Sequence, residues 1–186
     1  MKKTSMRARI LGGAVAVAAL GAGTVGAVAA SAETSGSAGA PAAVRAEAGG
    51  KDMVSSSHLS VDAATRAALA AIDAAGQGGY KVSVAVVDRN GNTIVALRGD
   101  GAGPRSPESA ERKAFTAVSW NAPTSELAKR LAQTPNLKDI PGTLFLGGGA
   151  PVQVKGVPVA AVGVAGAPSG DLDEQFAQAG VAALGR

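Results

Sequence analysis

The chain has 186 residues, no cysteine, five aromatic side chains and 46% hydrophobic residues, a balance that fits one globular domain with short extensions. The missing thiol excludes disulfide frameworks, zinc-thiolate and iron–sulfur centres and cysteine nucleophiles. Its formal charge of +4 comes from 18 basic and 14 acidic residues. Lys2, Lys3, Arg7 and Arg9 lie in a stretch, 1–32, without an acid, so the rest is neutral and, with few aromatics for base stacking, argues against a nucleic-acid partner.

Those four basic residues precede an apolar run from Ile10 to about Val28, and Ala30-Ser31-Ala32 supplies the small residues that a signal peptidase reads. The expectation is a signal peptide over 1–32, cleaved after about Ala32, and hence a secreted, extracellular protein. An uncleaved membrane anchor is the competing reading, since the run approaches the roughly 20 residues that span a bilayer. Residues 33–57 are Ala, Gly, Ser and charge without apolar periodicity, which reads as a flexible linker. The folded domain is expected over 58–186.

Ser60 or Asp62 can cap a first helix with apolar positions Ala67, Leu69, Ala71, Ile72 and Ala75, stopped at Gly76-Gln77-Gly78-Gly79. Strands are expected over 81–88 and 93–98, joined at Asn90-Gly91, a strong hairpin signal. After a Gly-rich loop, Ser106 as cap and Pro107 open a helix through Trp120, and Thr124 caps a shorter one over 125–132. Pro135 and Pro141 bracket a loop. Three strands are expected next, over 143–146, 152–155 and 157–164, followed by a helix capped within 169–171. The order α-β-β-α-α-β-β-β-α predicts an α+β (α/β) domain with a central antiparallel five-stranded sheet flanked by helices.

Chemistry has few places to reside. Gly147-Gly148-Gly149 leads into Ala150-Pro151 and a strand, not into a helix, so it reads as a close chain contact rather than a phosphate loop. His58 is the single histidine, and reads either as a metal ligand or as a solvated surface residue. Glu108 and Glu111 share a helix face, which suits either half of an oxygen-rich site for a hard cation or favourable charge in a first helical turn beside Arg112 and Lys113. Arg89, Arg98, Arg105, Arg112 and Lys113 cluster around the hairpin and helix and suit an anionic group such as a carboxylate.

The runs Val84-Ala85-Val86-Val87-Asp88-Arg89-Asn90-Gly91, Arg98-Gly99-Asp100-Gly101-Ala102, Ser109-Ala110-Glu111-Arg112-Lys113-Ala114-Phe115-Thr116-Ala117 and Pro141-Gly142-Thr143-Leu144-Phe145-Leu146-Gly147-Gly148-Gly149 resemble the GlcG/HbpS family of haem-binding proteins. The stretch from Gly163 to Asp173 adds to the likeness, which spans about 58–184 and is nearest to the secreted branch found in streptomycetes. The resemblance implies an octamer that binds haem b and iron ions outside the cell and influences a membrane sensor histidine kinase responding to redox stress. It places the haem-iron contact at Thr143 and iron binding at Glu108, Glu111 and His58. The function it implies is haem sequestration, and the expectation is a binding protein rather than an enzyme, since no distal-type histidine is available in the domain interior for efficient peroxide cleavage. The rivals are a weak haem-dependent peroxidase-like or glycolate-metabolism-associated enzyme, and an extracellular oligomer without a ligand.

Overall fold

The computed structural model describes residues 47–185. The expected signal peptide lies outside them, as does the expected linker up to residue 46. Residues 47–57 are exposed and include one 3-10 turn, Gly50–Asp52. Among the described residues no helix is long and apolar enough to cross a membrane.

The first helix, α1 (Val61–Gln77), starts where the Ser60 hydroxyl accepts the Ala63 N–H at 3.2 Å and ends where Tyr80 N–H returns to the Ala75 carbonyl at 2.9 Å. Its buried stripe is Ala64, Ala67, Ala68, Ala71 and Ala75. Leu69, expected on that stripe, is 48% exposed, because the 3.6-residue repeat through the alanines leaves position 69 on the outer side.

Strands β1 (Ser83–Asp88) and β2 (Thr93–Arg98) form the expected antiparallel hairpin. Asp88 organises its turn by accepting the N–H groups of Asn90 and Asn92, each at 2.8 Å. Next come α2 (Ser106–Trp120), α3 (Thr124–Arg130), a 3-10 turn (Pro135–Asp139), β3 (Gly149–Val154), β4 (Val157–Ala165) and α4 (Gly170–Ala182). Lys155 and Gly156, both with positive φ (52° and 79°), make the two-residue turn between β3 and β4. The Ser169 hydroxyl caps α4 by accepting the Leu172 N–H.

The sheet has four antiparallel strands in the order β2-β1-β4-β3, not the expected five. Residues 143–146 form no strand, because side chains take their backbone groups: Leu144 N–H donates to Thr116 Oγ1 at 2.8 Å, and Arg112 donates to the Thr143 carbonyl at 2.7 Å. Two expected caps also differ. The Ser106 hydroxyl meets Gly103 O and Ser83 Oγ instead of a helix N–H. At α3 the cap comes from Glu174, whose carboxylate accepts from both the N–H and the hydroxyl of Ser125, while Thr124 Oγ1 accepts from Gly149 N–H.

The sheet is covered on both sides. Val84, Val86, Ala160, Val162 and Val164 pack with α1 and α4, including Phe176. Their alternates Ala85, Val87, Ala161 and Ala165 meet Ala110, Ala114 and Ala117 of α2. Gly163 sits in the middle of that second face, and a Cβ there would collide with the Ala110 carbonyl and lie 2.6 Å from Ala114 N. We therefore expect Gly163→Ala to cost about 3 kcal/mol or more, read as a lower urea midpoint. Gly76→Ala, where an added Cβ meets nothing within 4 Å, should instead stabilise by about 0.5 kcal/mol through helix propensity.

Candidate functional site

Helix α2 carries the chemistry because its alanine face fixes it to the sheet and leaves both flanks open. On one flank Glu111, Arg112 and Phe115 face Val87, Gly91 and Thr93 of the hairpin and Gly142 of the following loop, around a cleft of about 200 Å³. Gly91 permits this arrangement: with φ at 88°, it would bring a Cβ within 2.8 Å of the Phe115 ring. Arg112 links the cleft to the loop through Thr143 O at 2.7 Å and reaches Glu108 at 3.7 Å.

Thr143 lies beside this cleft but is 2% exposed. Its hydroxyl donates to Ile140 O at 2.7 Å, closing the turn that precedes the Gly-rich segment. The expected haem-iron contact therefore carries a requirement: the hydroxyl keeps its oxygen lone pairs while it donates to Ile140, but the residues covering it must give way before a ligand can reach it.

The three other expected site residues are not brought together. Glu108 is half exposed and lies 3.7–3.8 Å from Arg105 and Arg112. Glu111, on the same helix, turns into the cleft. His58 stands at the hairpin end, with Nε2 2.7 Å from Ser56 Oγ and Nδ1 3.7 Å from Asp88. Burial pushes the Asp88 carboxyl up, but the hydrogen bonds from Asn92 and Asn90 and the nearby His58 outweigh it and hold it below the ordinary range. Among the described residues no three His, Asp or Glu side chains gather as metal ligands would. Iron binding by these residues in one chain would thus rest on Glu108 and Glu111 with outside ligands, since a hard cation takes several oxygens.

The basic cluster divides. Arg98 ties down the loop after β2 by donating twice to Ala102 O, at 2.7 and 3.1 Å. Lys113, grouped in the sequence with basic residues that suit an anionic ligand, is 2% exposed and donates to Asp173 Oδ2 at 2.7 Å and to Val164 O at 3.0 Å. Burial pushes the Asp173 carboxyl up, against the hydrogen bonds from Lys113 and Ala167. Sequence reasoning missed this pair, although position 113 falls among Ala110, Ala114 and Ala117, the small residues of the buried face.

Residues 59–182 match the family described as "Haem degrading protein HbpS-like". No curated protein matches. The chain is similar to a double mutant of Streptomyces reticuli HbpS in which two glutamates three positions apart are replaced by aspartate. That structure shows 70% identity and a TM-score of 0.76, covering 78% of this chain and all of its own. A further crystal structure of HbpS shows 72% identity and a TM-score of 0.75, over 76% of this chain and all of its own. More distant is a PduOC:haem complex, 28% identical with a TM-score of 0.63, covering 68% of this chain and 95% of its own. From the match over residues 59–182, the chain belongs to the HbpS-like family.

Proposed function

We propose that this protein is a secreted haem- and iron-binding oligomer that sequesters haem and tunes redox-stress sensing through a membrane sensor histidine kinase. The observation that carries the haem part is the cleft beside α2, where an aromatic ring, a guanidinium and two glycines meet next to Thr143. Phe115 offers a flat apolar surface, and Arg112 suits a propionate, since a guanidinium pairs with a carboxylate through two parallel hydrogen bonds. When bound, haem would supply the redox-active iron. The PduOC relative was crystallised as a haem complex, which supports the same ligand class here.

At about 200 Å³ the cleft is smaller than the roughly 300–1,000 Å³ of pockets that enclose a small-molecule ligand. A macrocycle held there keeps an open side, which a second copy of the chain would cover in the oligomer; the oligomer and its eight copies rest on the family resemblance. Secretion rests on the basic and apolar pattern of residues 1–32, and the kinase on the resemblance. For iron, the assignment to Glu108 and Glu111 rests on the family resemblance; the two Glu-to-Asp changes in the S. reticuli structure have the same three-residue spacing.

We place binding ahead of turnover. His58, the one histidine, is engaged by Asp88 and Ser56 at the hairpin end and does not line the Phe115 cleft, so it is poorly placed as a proton donor or acceptor for peroxide chemistry there. The family's description favours a second reading, degradation of the bound haem. Bleaching of the Soret band under peroxide, with iron released faster than from free hemin, would favour it over sequestration.

Hemin titration followed by absorbance should give a saturable Soret shift, weakened about tenfold by Arg112→Ala through loss of one charge-assisted contact. A featureless titration overturns the haem assignment. Thr143→Val should cost about 1 kcal/mol of stability from the lost hydrogen bond to Ile140 and should also weaken hemin binding; wild-type hemin affinity in that variant removes the hydroxyl from the site. Glu108→Gln combined with Glu111→Gln should lower iron uptake, whereas equal uptake returns the two glutamates to ordinary helix charge.

A further inference from the structure

A second cleft, of about 350 Å³, lies on the other flank of α2. One helical turn after another presents Ser106, Ser109 and Lys113 to it, Arg105 stands at its edge, and Ala167 and Asp173 close the far wall. Positions 106, 109 and 113 share one side of a 3.6-residue helix, and 111, 112 and 115 another. The two clefts are therefore separate, with the helix as their partition.

The floor of this cleft is charged. Two hydrogens of the Lys113 ammonium go to Val164 O and Asp173 Oδ2, and an ammonium carries three, so one N–H is left for a ligand. Asp173 spends its other oxygen on Ala167 N–H at 2.9 Å. Ser109 adds a half-buried hydroxyl. Arg105, with its side chain 82% exposed and only a 3.8 Å contact to Glu108, is a second cation on a long free arm. Asp173 is the one acid in the lining against two cations.

Stability does not account for this arrangement. A buried ion pair loses much of its attraction to desolvation, and apolar residues of the same volume often stabilise as well or better. The fold nonetheless makes room for it: at Gly148, with φ at 129°, a Cβ would stand 2.7 Å from the Lys113 ammonium and 2.5 Å from Val164 O. A larger residue there would fill the space that the ammonium uses.

We propose that this cleft binds a small organic carboxylate, held by the remaining Lys113 N–H and the Ser109 hydroxyl, with Arg105 folding over the mouth. Its volume is near the lower limit of ligand pockets, which suits acids of a few carbons. The walls Pro104, Leu146 and Ala165 accept the short apolar remainder.

The test is an amide-shift NMR titration of the protein with acetate and with succinate at constant ionic strength, with chloride as the control anion. Saturable shifts grouped at 103–109 and 165–167 are expected with the carboxylates and not with chloride. Arg105→Gln with Ser109→Ala, both at accessible positions, should weaken the response about tenfold. Removing the charges together, as Lys113→Met with Asp173→Leu, avoids leaving either ion unpaired and should abolish it. Shifts that chloride reproduces, that scatter over other basic residues, or that survive unchanged in the Arg105/Ser109 variant overturn the proposal. Soret titrations of the Arg105/Ser109 variant report on the other flank of α2, so failure of the carboxylate site and failure of the haem assignment register separately.

Discussion

The closeness of α2 to β4 governs one whole side of this molecule. Small residues make most of this contact: Ala110, Ala114 and Ala117 of the helix meet Ala85, Ala161, Gly163 and Ala165 of the sheet, with Val87 beside them. Each alanine gives up little area, but ordering it costs no rotamer entropy, so the contact gains by proximity what it lacks in bulk. The longer side chains of the helix must leave sideways. Phe115 and Arg112 turn to one flank and Lys113 to the other, and this division makes two clefts where a wider helix–sheet gap would have made a larger core.

Around that contact a polar layer replaces part of the sheet. The segment from Gly142 to Gly148 runs past α2 without pairing as a strand, and its backbone groups are met by Arg112, Thr116 and Glu174. Glu174 also holds the start of α3, and Thr124 holds Gly149. Buried polar groups need partners because losing water without replacement is costly. The side chains that provide them here fix the loop next to the Phe115 cleft as firmly as another strand would.

Local chemistry in the sequence foretells local structure. Ser60 and Ser169 cap their helices, Asn90-Gly91 turns its hairpin, and Pro107 stands at the start of α2, all because these preferences act over a few residues. The absent fifth strand was illegible: Thr116 and Arg112, which take the backbone groups of residues 144 and 143, stand 28 and 31 residues away. Lys113 was illegible for the same reason, since Asp173 is 60 residues distant. At the candidate site, the pairing of Glu108 and Glu111 on one helix was readable. Their diverging surroundings, Arg105 and Arg112 around one and the cleft around the other, depend on how the helix sits on the sheet.

The alanine contact also sets the direction in which this protein can be damaged by substitution. Most cores fail by truncation, when a large side chain is cut back and a cavity remains. Along α2 there is almost nothing to cut back, and a missing methyl leaves little void. Enlargement is different, because at Gly163 and Gly149 an added carbon meets backbone oxygen of the helix, which no rotamer change relieves. The face that positions both clefts therefore has a vulnerability of one sign: it tolerates loss of atoms better than gain, and its sequence can drift toward glycine far more easily than away from it.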